Sequence, residues 1–158
     1  MEESKNLIKQ EVDKLIWAAQ GSLKEVKKFA IGEVWRILQL LTAAVIRIIE
    51  NIGKDLSSPE KKKLAMELIT DFYDKVFVSI EIPVIPSFVE SFFHAYVKKI
   101  IMILIDSSID AMVTTFRELG IFVKSKQKQL FGLDAQVTSL DSFILDNFIQ
   151  NLKIVRKK

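Results

Sequence analysis

Residues 8–52 read IKQEVDKLIWAAQGSLKEVKKFAIGEVWRILQLLTAAVIRIIENI, and apolar side chains recur through this stretch at the strict spacing 4, 3, 4. The period is about 3.67 residues per turn, close to that of a straight α-helix. The stretch therefore predicts a long amphipathic helix with an eleven-residue repeat. Its apolar positions, here named the N-terminal stripe, are Ile8, Val12, Leu15, Ala19, Leu23, Val26, Ala30, Val34, Ile37, Leu41, Val45, Ile48 and Ile52.

A continuous helix of this length would be longer than the rest of the chain is wide. It would span roughly 68 Å at 1.5 Å per residue. A compact chain of 158 residues has a radius of gyration of only about 15 Å. We therefore expect the N-terminal stripe to meet another chain, a membrane surface, or the second half of the same helix folded back.

Gly21 and Ser22 mark a place where the helix can break. Gly21 suits the residue after a helix end, and Ser22 with Glu25 has the spacing of a capping box. The eleven-residue repeat nevertheless passes through Gly21 and Gly32 without a slip, which favours continuity. The prediction is a nearly continuous helix over 1–53, with a break at Gly21 left open.

Composition favours an all-α fold. The chain is 49% hydrophobic and 27% charged, a combination that suits strongly amphipathic helices. Five glycines and three prolines are few for a β-rich protein, which needs many tight turns. We expect residues 58–158 to form a body of about three helices, in the same domain as residues 1–53 or loosely separate from it.

The first helix of this body follows Gly53, which suits the residue after a helix end. Ser58 is the expected N-cap and Pro59 the expected first helical residue. The helix is predicted to run to about Ser79. Its apolar face consists of Ala65, Leu68, Ile69, Phe72, Val76 and Phe77.

Pro83 and Pro86 interrupt helical structure and predict an extended connector. Ser87 then opens a capping box for the next helix, 87–119, which Gly120 ends. This helix has two apolar stripes and should pack against two neighbours. One stripe is Ile101, Ile105, Ile109, Met112, Phe116 and Leu119; the other is Val89, Phe93, Val97, Ile100 and Leu104.

A last amphipathic helix is predicted over 140–155. Its apolar positions are Leu140, Ile144, Phe148, Leu152 and Val155. The sequence between this helix and Gly120 has a weaker pattern and is expected to be a helical extension or a loop.

No segment reaches the roughly eighteen uncharged apolar residues of a membrane-spanning helix. The charged start Met1-Glu2-Glu3-Ser4-Lys5 has no apolar core, so a secretory signal peptide is not expected. The chain has no cysteine, which excludes disulfides. We expect a cytoplasmic protein, or one peripheral to the inner face of a membrane.

Candidate chemistry is sparse. His94 is the only histidine, and with Glu90 one turn earlier it supplies two metal ligands at most. Asp106 and Asp110 are also one turn apart, and we interpret them as helix-face charges or partners of Lys98, Lys99 and Arg117. No nucleophile elbow or phosphate-binding loop is present. The sequence predicts no catalytic, cofactor-binding or metal-ligating residue, and the protein is not expected to be an enzyme.

The formal net charge of +3 admits contact with an anionic membrane surface. The lysines are interleaved with acidic residues, and no nucleic-acid-reading motif accompanies them. Nucleic acid is therefore not an expected partner.

Several short motifs between Lys62 and Phe122 resemble those of small helical proteins encoded in bacteriophage and prophage genomes. They are Asp71-Phe72-Tyr73-Asp74, Ile82-Pro83-Val84-Ile85-Pro86-Ser87-Phe88-Val89-Glu90 and Leu119-Gly120-Ile121-Phe122. Some of these phage proteins are loosely labelled holin-like. The resemblance implies a phage-type assembly role or a membrane-associated role, and it transfers no site residue.

Together these features predict a structural or interaction subunit that associates with its own copies or with another helical protein through the N-terminal stripe. The alternative is a peripheral protein whose apolar helical face lies in the headgroup region of a membrane.

Overall fold

The computed structural model describes residues 1–23, 31–78, 86–120 and residue 150. The described residues form four α-helices and no strand, which confirms the all-α class. The helices are α1 (Glu2–Leu23), α2 (Ile31–Ile52), α3 (Ser58–Val76) and α4 (Ser87–Glu118).

Consecutive helices run in opposite directions. Ile8, near the start of α1, lies beside Gly53 at the end of α2. The Lys61 ammonium near the start of α3 lies 2.8 Å from the Glu50 carboxylate near the end of α2. The Lys98 ammonium in the first half of α4 lies 2.7 Å from the carboxylate of Asp74 near the end of α3. The fold is an up-down-up-down helical bundle.

Helices α2 and α3 form the centre of the bundle, since α1 and α4 each pack against both of them. One continuous hydrophobic core includes buried residues from all four helices. Its largest fully buried side chains include Phe72, Ile37, Leu38, Ile69 and Ile105. Every residue of the predicted apolar face of α3 is buried, as expected from its helical spacing.

The prediction of one nearly continuous helix over 1–53 was wrong. Helix α1 ends at Leu23 and α2 begins at Ile31, and the two pack side by side. Gly21 lies inside α1 and is not the break; the predicted capping residue Glu25 lies outside the described residues. Folding back allows the two apolar halves to cover each other, and that burial outweighs the benefit of an unbroken helix.

The ends of α3 and α4 fall close to their predicted positions. The N-cap of α3 is Ser57 and not Ser58, because Ser57 has the three-residue spacing to Glu60 that a capping box requires. The N-cap of α4 is Pro86 rather than Ser87. Gly120 follows α4 with a φ of 67°, the left-handed conformation that glycine adopts readily.

Three predicted segments fall in ranges that the structure does not describe: the connector around Pro83, the weakly patterned stretch after Gly120, and the last helix, of which only residue 150 is described. Among the helices that the structure describes, none combines the length and the apolar character needed to cross a membrane.

Candidate functional site

The N-terminal stripe lies in the interior of the bundle. Eight of its members are buried: Ile8, Val12, Leu15, Ala19, Leu23, Ile37, Leu41 and Val45. Val34, Ile48 and Ile52 are partly buried and pack against the same core, whereas Val26 and Ala30 lie outside the described residues. Of the three surfaces that the sequence left open for the stripe, the structure shows the third, the second half of the same stretch folded back. Once α1 folds back on α2, each half of the stripe covers the other, and α3 covers both.

The largest exposed apolar surface lies instead on α4. Six of its residues point away from the bundle and are named here the α4 face. They are Phe88 (80% exposed), Phe92 (78%), Tyr96 (65%), Ile100 (41%), Ile103 (60%) and Leu104 (47%). The spacing of three and four residues aligns them along one side of the helix. The opposite side of α4 carries Ile101, Ile105 and Ile109, which are buried in the core.

The α4 face is large for a surface that no side chain in the described part of the chain covers. Its aromatic side chains each present roughly 150–250 Å² when fully exposed, and they are 65–80% exposed. The three rings alone therefore offer roughly 350–550 Å² of accessible surface, before the three aliphatic residues are added. Contiguous apolar patches of this size on a single chain mark contact sites far more often than ordinary surface.

The apolar character stops halfway along the helix. Beyond Leu104, the outward side of α4 carries Ser107, Asp110, Thr114 and Glu118, and all four are exposed. The helix therefore has an apolar first half and a polar second half on the same side.

Two lysines link α4 to α3 by ion pairs, whereas Lys99 is exposed on the same side as the α4 face. The Lys98 ammonium lies 2.7 Å from the Asp74 carboxylate. The Lys62 ammonium lies 2.7 Å from Asp110 and 3.2 Å from Asp106. The hydrogen bond to Asp110 raises the pKa of Lys62, so this lysine stays cationic at neutral pH. These ion pairs fix α4 against α3 and hold its apolar first half toward solvent.

Sequence reasoning found only part of this surface. It expected both stripes of α4 to pack against neighbours, and the stripe through Ile101, Ile105 and Ile109 does so. Ile100 and Leu104 of the second stripe are exposed instead, and Phe88, Phe92 and Tyr96 were not singled out. The available signal was that apolar residues cover more of the circumference of the first half of α4 than a single stripe does. A helix at the edge of a four-helix bundle can bury only part of such a surface.

The sequence candidates for metal or acid-base chemistry do not converge on a site. Asp106 and Asp110 share Lys62 as their partner, not the three basic residues of α4 that the sequence suggested. Both ring nitrogens of His94 are enclosed without a hydrogen-bond partner, and the Glu90 side chain lies outside the described residues. Across the ranges that the structure describes, no cluster of three or more histidine, aspartate or glutamate side chains is arranged to hold a metal.

A groove of about 440 Å³ runs between α2, α3 and α4. Ile49 and Ile109 contribute to its apolar lining. Two ion pairs, Lys61 with Glu50 and Lys62 with Asp110, lie along its rim. These charges neutralise one another, so the groove offers a ligand mainly apolar contact.

Comparison with known proteins gives no relative for this chain. No protein-family model matches it, and neither a curated protein nor a solved structure is significantly similar to it. The function has to be inferred from the chain's own side chains, and the α4 face is the feature that most needs an explanation.

Proposed function

We propose that this protein is a non-enzymatic structural or interaction subunit that self-associates through the α4 face. The observation that carries the proposal is the exposure of three aromatic and three aliphatic side chains on one side of a helix. Their transfer from water into a contact is favourable by about 25 cal/mol per Å² of apolar surface. Such a patch favours association because a monomer leaves all of this surface in contact with water.

The proposal retains the self-association expected from the sequence and moves it to another surface. The N-terminal stripe is occupied by the core, so using it between chains would require the bundle to open. The α4 face needs no such rearrangement. The resemblance of residues 62–122 to phage-encoded helical proteins supports a role in a phage-type assembly, since it spans α4 and most of α3.

A peripheral membrane role is the alternative, because exposed phenylalanine and tyrosine side chains also suit the headgroup region. Electrostatics favours a protein partner. Helix α4 carries three cations and four anions: Lys98, Lys99 and Arg117 against Glu90, Asp106, Asp110 and Glu118. Interfacial helices that bind anionic lipid carry an excess of lysine and arginine beside the apolar face, whereas the formal charges of α4 show no such excess.

Size-exclusion chromatography with light scattering tests the proposal on the full chain. We expect the wild-type protein at micromolar concentration to have the mass of two or more copies. A Phe92→Gln/Ile103→Gln double variant should have the mass of one copy, because glutamine keeps helix propensity and removes the apolar contact. Far-ultraviolet circular dichroism should show the same helical content for both proteins.

Trp17→Gln provides the matched control. Trp17 is 78% exposed, but it lies on α1 away from the α4 face. This variant should keep the wild-type mass. A wild-type protein with the mass of a single chain, or a double variant whose mass is unchanged, would overturn the proposal. Flotation with anionic liposomes that depends on Phe92 would favour the membrane alternative.

A further inference from the structure

The α4 face has a defined centre. It extends from Phe88 to Leu104, a distance of roughly 24 Å along the helix, and Tyr96 lies at its midpoint. Resting on the proposed function, we infer that two copies pair their α4 helices antiparallel across a two-fold axis that passes beside Tyr96. In this arrangement Phe92 lies opposite Ile100 of the second copy, whereas Phe88 and Leu104 flank the contact at its two ends.

The polarity of α4 decides the direction of pairing. In a parallel pair, the polar second halves would also lie side by side, with Glu118 facing Glu118 of the second copy. Like charges placed directly opposite each other are unfavourable. In the antiparallel pair centred on Tyr96, each apolar half covers the other and each polar half extends beyond the contact. Antiparallel helix dipoles add a small favourable contribution.

The size of the surface fits a second copy as the occupant. Doubling the roughly 350–550 Å² of the three rings, with both copies contributing, gives roughly 700–1,100 Å². The three aliphatic residues of each copy bring this area to about the 1,200 Å² at which specific interfaces begin. A two-fold contact also uses the same patch on both chains and leaves no apolar face free for further addition.

Single cysteines test this geometry cleanly, because the natural chain contains none. A disulfide forms only between cysteines whose Cα atoms lie within about 7 Å. We expect Tyr96→Cys to cross-link with itself under mild oxidation. Phe92→Cys alone and Ile100→Cys alone should not, since each residue lies about 12 Å along the helix axis from its own copy in the antiparallel pair. An equimolar mixture of Phe92→Cys and Ile100→Cys chains of different tag mass should form the mixed dimer.

Trp17→Cys on α1 is the control for random collision and should remain uncross-linked at the same concentration. Val89→Cys mixed with Ile103→Cys gives a second pair of opposed positions, since both residues lie seven positions from Tyr96 on the same side of α4. This second pair replaces the first if Phe92→Cys or Ile100→Cys loses the wild-type mass before oxidation.

The outcomes separate the two proposals. Efficient self-linking of Phe92→Cys would show parallel pairing and overturn the inference alone, as would variants of wild-type multimeric mass that form no mixed cross-link. Monomeric mass for the wild-type chain before oxidation would overturn the proposed function as well.

Discussion

The amide nitrogen of Gly53 donates a hydrogen bond of 2.8 Å to the carbonyl oxygen of Ile49, and a Cβ atom on Gly53 would lie 2.8 Å from that same oxygen. The side chains of Leu56 and Ile8 would lie 3.0 and 3.2 Å from it. Gly53 is thus surrounded by α2, by the turn to α3 and by α1. Its φ angle is not positive, so lack of space, and not a left-handed backbone, calls for glycine at this position.

Replacing Gly53 with alanine should therefore destabilise the protein by about 1–3 kcal/mol, because a backbone oxygen cannot move aside for the new methyl group. Gly21→Ala is the matched control: nothing lies within 4 Å of the corresponding Cβ position, inside helix α1. That variant should gain about 0.5–1 kcal/mol. Urea unfolding followed by circular dichroism measures both. A Gly53→Ala variant as stable as the wild type would contradict the steric explanation.

The environment of Gly53 shows which parts of the fold could be predicted from the sequence and which could not. A glycine after a long apolar repeat predicted the end of α2 at Ile52, and the structure places it there. The close approach of Ile8 could not be predicted, because it depends on α1 folding back over α2. The eleven-residue repeat gives no sign of this, since it records only which side of each helix is apolar. It does not record whether the covering surface belongs to the same chain.

The exposure of the α4 face is a second feature that the sequence alone could not predict. Helical spacing predicted that α4 has apolar residues on more than one side, and it correctly assigned Ile101, Ile105 and Ile109 to the core. Which side stays exposed depends on where α4 sits relative to α2 and α3. Lys62 and Lys98 help to set that position through ion pairs between helices, and no local pattern encodes those pairs.

The ion pair between Lys61 and Glu50 should contribute more to stability than the surface pairs. Both side chains are only 18% exposed, and the pair links α2 to α3. Glu50→Gln should lower the free energy of unfolding by about 1–3 kcal/mol, because it leaves a mostly buried ammonium without its counter-charge. The double variant Glu50→Leu/Lys61→Met should lose less free energy of unfolding than Glu50→Leu and Lys61→Met lose together when each is measured alone.

Asp71→Asn removes the carboxylate of a surface ion pair and is the comparison for Glu50→Gln. Asp71 pairs with Lys75 at 2.7 Å on the surface of α3, where the two side chains are 37% and 44% exposed. Its loss should cost about 0.3–0.5 kcal/mol. Equal effects of Glu50→Gln and Asp71→Asn in chemical denaturation would show that burial adds nothing to the first pair.

The capping box at the start of α3 should make stability depend on pH in the acid range. The Glu60 carboxylate accepts hydrogen bonds from the Ser57 hydroxyl at 2.6 Å and from the Ser57 backbone amide at 2.8 Å. These bonds favour the ionised form and lower the pKa of Glu60 below 4.5. A carboxyl group whose pKa is lowered by folding stabilises the protein at pH values above its unfolded-state pKa. This contribution is lost as the pH falls through the folded-state pKa.

Thermal unfolding between pH 7 and pH 3 should therefore show a steeper loss of Tm in the wild type than in Glu60→Gln, which has no carboxyl group to protonate at this position. Ser57→Ala should weaken the pH dependence because it removes one of the two bonds. If the wild type and Glu60→Gln lose Tm in parallel, the capping box does not contribute to acid sensitivity.

The two ring nitrogens of His94 are enclosed in the protein and make no hydrogen bond within the part of the chain that the structure describes. A buried polar group without a partner gives up its hydrogen bonds to water and receives nothing in return, which costs about 1–3 kcal/mol. His94→Leu should therefore raise the free energy of unfolding by about 1–2 kcal/mol, since leucine fills similar space without polar atoms.

His94→Gln is the matched control and should not raise the free energy of unfolding, because it again places polar atoms where the described residues offer no partner. Denaturant titrations at neutral pH compare the three proteins. A His94→Leu variant less stable than the wild type would contradict this explanation. It would show that the imidazole makes a stabilising hydrogen bond in solution.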